Sequence, residues 1–262
     1  MVNLIPFSVD QIEIFILIFV RIITIIALLP VFGSDSIPVQ LKVGFSLLLS
    51  IILFNMILSS IPQMPDFSWG VMLLIVLKEV LVGLAIGFAA STLFVAVQFA
   101  GRLIDTEMGF GMVELFDPFS GQSVTVMGQF QIIVFTLLFL LFNGHYFFIL
   151  AIQKSFEVIP LTGVHIAGGH LVVQIGNMVG NIFILAIKLS APVFITLVLT
   201  SISLGVVART VPQMNIFFVG LPLKIMVGLG ATFIALPLLG NLFRKMVEAL
   251  IQDIWRILHL MA

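Results

Sequence analysis

The chain of 262 residues is 61% hydrophobic and 9% charged, with a formal net charge of −1 and a mean hydropathy of +1.31. So much apolar surface exceeds what a soluble core of this length hides, and the balanced charge offers no basic face for nucleic acid, so a soluble globular protein and a nucleic-acid binder are both excluded. The absence of cysteine removes disulfide scaffolds, thiolate metal sites and cysteine nucleophiles.

Six apolar stretches follow one another at about residues 11–32, 39–60, 70–104, 124–156, 171–209 and 216–240, ahead of an amphipathic tail, which predicts an all-α membrane-associated protein. The start of the chain carries Asp10 and Glu13 and no basic region, so the first stretch is expected to stay in the mature protein rather than be cleaved as a signal peptide. Arg21 interrupts the run Ile14 to Leu29, whose thirteen Ile, Leu, Phe and Val residues at roughly −0.3 to −0.6 kcal/mol each offset the +2.5 to +3.5 of one arginine. The run Val71 to Phe88 carries both Lys78 and Glu79, and on the same scale its balance falls near zero. Adjacent helical residues point about 100° apart, so this pair cannot neutralise itself and each member needs a partner on another helix.

Val71 to Ala100 contains no proline and as a helix would be about 45 Å long against a hydrocarbon core of about 30 Å. Val172 to Ala208 is longer and holds Pro192, expected to break or kink it, while Pro222 and Pro237 punctuate the last stretch. Long kinked helices and helical hairpins therefore fit better than six plain spans. Gly83 with Gly87, and Gly176 with Gly180, place small residues one turn apart and would allow close helix approach; equally, glycine is frequent in membrane helices for no such reason. No internal repeat exceeds coincidence. From Leu242 to about residue 260 a helix would gather Phe243, Met246, Val247, Leu250, Ile254, Ile257 and Leu258 on one face, with Arg244, Lys245, Glu248, Gln252, Asp253 and Arg256 opposite. Its polar face would meet headgroups or dock on a partner.

Five charges lie inside apolar stretches: Arg21, Lys78, Glu79, Lys188 and Lys224. They either tie helices of this chain together or face partner proteins, and both readings stand. His145, His165, His170 and His259 are scattered without helical metal-ligand spacing, and no nucleophile elbow, phosphate loop or zincin motif occurs, so no catalytic residue, metal or cofactor is expected. Asp105 and Glu107 are too close in sequence to share a helix face and read as solvated or salt-bridged loop charges. The connection from Gly101 to Gly128 mixes Gly109, Gly111 and Gly121 with Phe110, Met112, Leu115, Phe116 and Phe119. Free backbone with bulky apolar side chains suits a displaceable gasket in a pore, and the plain alternative is a connector tucked against the core.

The string Arg209, Thr210, Val211, Pro212, Gln213, Met214, Asn215, followed by Phe217 to Lys224, resembles the signature of the FliR family of flagellar and injectisome export proteins. Arg21 with Pro30, Pro38 with Lys42, Lys78 and Glu79 before Gly83 and Gly87, Ala100 to Asp105, Asp117 with Pro118, Asn143 to His145, and Ser155 with Phe156 before Pro160 agree in order along nearly the whole chain. The resemblance implies a single FliR-type domain over 1–262 and a non-enzymatic, channel-forming part of the type III export apparatus. It implies assembly with FliP and FliQ, contact with FlhB and FlhA, unfolded flagellar proteins as cargo, and a place at the bacterial inner membrane with much of the subunit on the periplasmic side. It also implies that the connection at about 106–122 is a plug, putting Gly109, Phe110, Gly111, Met112, Phe116 and Phe119 at a gate. An injectisome homologue shares this mechanism with different cargo. An ion-coupled secondary transporter, in which the intramembrane charges carry protons or solute, is the competing class.

Overall fold

The computed structural model describes residues 9–34, 36–58, 69–111, 125–161, 168–211, 213 and 215–262. Among them it is helical throughout: α1 Val9–Leu28, α2 Val39–Leu58, α3 Trp69–Met108, α4 Val126–Leu141, α5 Gly144–Val158, α6 Gly168–Thr210 and α7 Ile216–Met261. Five of these, α1, α2, α3, α6 and α7, are long and apolar enough to cross a membrane. The family of helices with no strand among the described residues is the all-α architecture that the apolar periodicity predicts.

Local chemistry sets the boundaries. α1 contains neither glycine nor proline and stops just before Pro30, and α2 begins directly after Pro38, whose carbonyl accepts from the amides of Leu41 and Lys42. The ammonium of Lys42 reaches back 2.9 Å to the carbonyl of Gly33 in the turn between them. α3 ends at Gly109, whose φ of 91° only glycine adopts without strain.

Two boundaries differ from expectation, and at a third the expected alternatives are narrowed to a continuous helix. The fourth apolar stretch is two helices, because Asn143 takes a left-handed conformation with φ of 56°, a geometry that asparagine tolerates better than bulkier residues. The last stretch and the amphipathic tail form one 46-residue helix that passes through Pro222 and Pro237. α6 likewise runs 43 residues through Pro192 without ending. A proline removes one donor from the ladder, and the neighbouring Thr196 hydroxyl donates 2.8 Å to the Pro192 carbonyl. Thr200, Ser201 and Ser203 bond to their own helix in the same way, so the chain needs no outside partner for these hydroxyls.

The chain divides into two compact units, one of Met1–Thr92, Asn143–Asn177 and Ala249–Ala262, the other of Leu93–Phe142 and Met178–Glu248. The boundaries at 92, 177 and 248 fall inside α3, α6 and α7, so each of these helices contributes residues to both units. In the first unit, Leu17, Ile18, Ile22, Ile25 and Ile26 of α1 are fully buried, as are Val82, Ile86 and Ala89 of α3. Phe15 meets Phe54 edge-on at 6.0 Å, joining α1 to α2. In the second unit, Ala96, Val97, Ala100 and Ile104 of α3 are buried with Phe135 and Phe139 of α4 and Val193 and Leu197 of α6. Phe135 packs edge-on against Phe243 at 4.7 Å. Along the tail, Phe243, Met246, Val247, Leu250, Ile254, Ile257 and Leu258 are buried while Arg244, Lys245, Glu248, Gln252 and Arg256 are exposed.

The two glycine pairs part company. A Cβ on Gly83 would lie 2.7 Å from Thr24 Cβ, and one on Gly87 would lie 2.6 Å from Leu28 Cβ, so α1 and α3 touch there. Gly176 and Gly180 have nothing within 4 Å of the same position. Gly83→Val should therefore destabilise the detergent-solubilised protein by about 1–3 kcal/mol through overpacking, whereas Gly176→Val should not. Thermal unfolding midpoints of the two variants check this; equal midpoints would show that α1 and α3 do not make this contact.

Candidate functional site

Glu79, Gly83 and Gly87 are four residues apart and share one face of α3. The glycines let α1 come close, and at that distance the side chain of Arg21 spans the gap to Glu79. Arg21 Nε donates to Glu79 Oε2 at 2.5 Å and Nη2 to Oε1 at 3.0 Å, a bidentate pair with both side chains fully buried. Nη1 donates to the carbonyls of Ser155 at 3.0 Å and Ile159 at 2.9 Å. These carbonyls belong to the last turn of α5 and the residue after it, where the helix end is negative; the Ser155 carbonyl also accepts from the Ile159 amide at 2.9 Å, so Nη1 takes its second lone pair. The guanidinium carbon stands 4.3 Å from the centre of the Phe156 ring. One arginine thus joins α1, α3 and the end of α5 inside the first unit.

Of the five apolar-stretch charges, the structure brings together only Arg21 and Glu79. Lys78 sits half-exposed on the neighbouring face of α3, Lys224 is half-exposed and Lys188 is exposed. None of the three has an ion-pair or hydrogen-bond partner among the described residues.

In the second unit α3 carries another carboxylate beside another glycine. A Cβ on Gly101 would collide with the backbone of Gly128, so α3 and α4 cross with main chains in contact. One turn further on, Asp105 is buried and its two oxygens accept from the amides of Met127 at 2.9 Å and Gly128 at 3.3 Å, the first turn of α4. The Asp105 carbonyl accepts from Gly109 at 3.1 Å and Phe110 at 3.0 Å, closing the end of α3. Reading Asp105 as a solvated loop charge is therefore corrected: α3 continues to Met108, and the carboxylate faces donors distant in sequence. Glu107 also lies on α3, half-exposed.

Gly109 is half-buried against Leu221, Phe110 is half-buried, and Gly111 is exposed. Met112, Phe116 and Phe119 lie outside the described residues. At the turn between α6 and α7, Arg209, Gln213 and Asn215 are exposed, and Pro212 and Met214 lie outside the described residues. An apolar hollow of about 400 Å³ between α1 and α2 is lined by Gln11, Ile12, Phe15, Ile51, Phe54 and Asn55 and offers no titratable group. Among the described residues no three histidines or carboxylates are grouped to hold a metal ion.

Sequence reasoning missed Gln131. It lies on the buried face of α4 one turn beyond Met127 and Gly128, and its side-chain nitrogen and oxygen are both buried without a hydrogen-bond partner. The signal available was a lone amide among apolar residues, which does not distinguish a buried position from an exposed one.

Two variants measure these sites. Arg21→Met or Glu79→Leu alone should cost about 3–5 kcal/mol by stranding a buried charge, and the double variant should cost less than either. A double-mutant cycle on unfolding checks this, and additive losses would show the pair to be uncoupled. Gln131→Leu should leave stability unchanged or raise it by about 1–3 kcal/mol, since it removes two unsatisfied polar atoms. A lowered unfolding midpoint would contradict that.

The chain matches the family model described as "Bacterial export proteins, family 1" over residues 12–250. It is 34% identical over 255 residues to the flagellar biosynthetic protein FliR of Bacillus subtilis (strain 168), covering 96% of this chain and 97% of that one. It is 33% identical over 222 residues to the FliR of Pectobacterium carotovorum subsp. carotovorum, covering 84% and 83%. To the FliR of Escherichia coli (strain K12) it is 28% identical over 240 residues, covering 91% and 88%. With the described residues helical, five helices fit to cross a membrane and a family match that covers nearly the whole chain, the chain belongs to the bacterial export proteins of family 1, the FliR family of flagellar biosynthesis.

Proposed function

We propose that this chain is a structural, channel-forming subunit of the flagellar type III export apparatus, which with FliP and FliQ forms the gated entrance for unfolded flagellar proteins. FlhB and FlhA stand beside it, and the assembly sits at the inner membrane with much of this subunit on the periplasmic side. It has no catalytic role; energy comes from other parts of the machine.

The observation that carries this reading is the length of exposed apolar surface. Along α6, Val172, Phe183, Ile187, Ile195, Leu199, Ile202 and Val206 are all more than half exposed. That path covers about 50 Å at 1.5 Å per residue, against a hydrocarbon core of about 30 Å, so lipid alone leaves roughly two-fifths of it uncovered. Protein must cover the remainder. Lys188, exposed within this path, suits a carboxylate or carbonyl on a neighbouring subunit better than lipid. Lys78 and Lys224 are offered in the same role, while Arg21 and Glu79 hold the chain's own helices.

The transporter reading loses support from the same geometry. Arg21 and Glu79 are fully buried and spend their hydrogen-bonding capacity on each other and on α5, which suits a fixed brace rather than a group that gives up and regains protons. The flagellar names of the relatives favour flagellar over injectisome cargo.

The connection at about 106–122 is assigned as the plug, with Gly109 and Gly111 lending freedom and Phe110, Met112, Phe116 and Phe119 closing the pore. The turn bearing Arg209, Pro212, Gln213, Met214 and Asn215 is assigned to contact partner subunits. Deleting residues 109–119 should leave co-purification of the partner proteins intact while the assembled complex becomes leaky to ions and small molecules. Conductance of the purified complex in lipid bilayers measures this, and a barrier that survives the deletion removes the plug assignment.

A further inference from the structure

Among the described residues, Asp105 bonds at both ends of the connection between α3 and α4. Its main-chain carbonyl takes the amides of Gly109 and Phe110, where the connection leaves α3. Its side chain takes the amides of Met127 and Gly128, where the connection has entered α4. One turn earlier on α3 the Gly101 backbone is in contact with that of Gly128, so the two helices already meet beside the carboxylate. All these residues belong to the second unit.

We propose that the Asp105 carboxylate is a positioning group for export: it holds the first turn of α4 against the last turns of α3 so that the connection departs and returns at one point. This rests on the reading of that connection as the channel barrier. The chemistry favours a carboxylate. The first-turn amides of a helix have no intrahelical acceptors and carry its positive end, so an anion with two oxygens satisfies two of them at once. A neutral amide keeps one acceptor and turns a donor toward a donor. An alanine leaves both amides unmet in an apolar setting. Because the helices also touch through Gly101 and Gly128 and through Phe94 against Phe139, edge-on at 5.7 Å, losing the carboxylate frees the start of α4 without dismantling the unit.

The test uses the assembled complex with Asp105→Ala, Asp105→Asn and, as a control at an exposed carboxylate on α5, Glu157→Gln, followed by hydrogen exchange of the peptide containing Met127 and Gly128 and by bilayer conductance. Expected are exchange at those amides at least tenfold faster in Asp105→Ala, a smaller rise in Asp105→Asn, no change in Glu157→Gln, and conductance rising in the same order while partners still co-purify. Unchanged exchange in Asp105→Ala overturns the proposal whatever the conductance does. Faster exchange with an intact barrier, in a complex that the 109–119 deletion does make leaky, overturns the positioning role and spares the plug. Faster exchange with a barrier intact in both overturns the plug assignment and the inference with it. If Asp105→Ala is not recovered in the complex, Asp105→Asn decides alone, and wild-type exchange together with wild-type conductance sinks the idea.

Discussion

A guanidinium withdrawn from water must have its donors met, and the way Arg21 meets that demand fixes much of the first unit. Four of its five N–H groups are engaged, two by Glu79 and two by carbonyls at the end of α5. The requirement is geometric before it is energetic. A buried ion pair is often no more stabilising than apolar residues of the same volume, but it is far more demanding of position. α1 has to lie where Arg21 reaches Glu79, which the absence of side chains at Gly83 and Gly87 allows. α5 has to end where its last carbonyls point at Nη1, and the chain before Pro160 supplies that ending. The fully buried Ile18, Ile22 and Ile25 then fill space whose walls the polar contacts have already set.

α3 repeats the device. In the first unit Glu79 stands one turn before a close-contact glycine, and in the second Asp105 stands one turn after another, Gly101. Both carboxylates lie on a helix whose apolar window is 61% buried, against 28% for α6 and 22% for α7. α3 is thus the most buried of the five long apolar helices, while α2, α6 and α7 keep most of their apolar windows exposed. A buried carboxylate next to a glycine selects its partner by the donors that partner presents, the forked guanidinium in one case and a helix start in the other. Apolar packing alone would allow α1 or α4 to rotate or slide at little cost, whereas these contacts do not.

The sequence told most where the physics is local. Apolar runs became helices, their overlength was real, and the hydrophobic stripe from Phe243 to Leu258 is buried opposite its charges. The need of Glu79 for a partner on another helix was legible, but the identity of that partner was not, because choosing among arginines and lysines requires knowing which helices touch. Asp105 was misread for a related reason. Testing Asp105 against Glu107 considers only neighbours in sequence, and the donors that bury it are on α4, more than twenty residues away. The end of α3 was placed near residue 104 because apolar content falls there, yet a helix continues as long as its hydrogen bonds do, here to Met108. At Pro192 two outcomes, a break or a kink, were open, and the structure excludes the break: a missing donor ends an isolated helix in water, but in apolar surroundings the alternatives to helix cost more, and α6 continues. The two glycine pairs were identical as patterns and only their surroundings separated them.

The outward surfaces of α6 and α7 follow from these interior demands. Arg21, Glu79 and Asp105 meet their partners on α1, α3, α4 and α5, whereas the later helices carry Ile234 at 83% exposure, Phe233 at 66% and Lys188 among apolar neighbours in sequence. Water disfavours the first two and hydrocarbon disfavours the third, by about 2.5–3.5 kcal/mol for a lysine at mid-depth. No single solvent suits such a set of exposed side chains on helices longer than a bilayer is thick. A protein surface does, since it can offer side chains to pack against the isoleucines and an acceptor to the ammonium at a defined height. A face of this kind is therefore selective as well as adhesive: an apolar neighbour without an acceptor at the level of Lys188 would bury an unmet charge, and a shifted register would do the same.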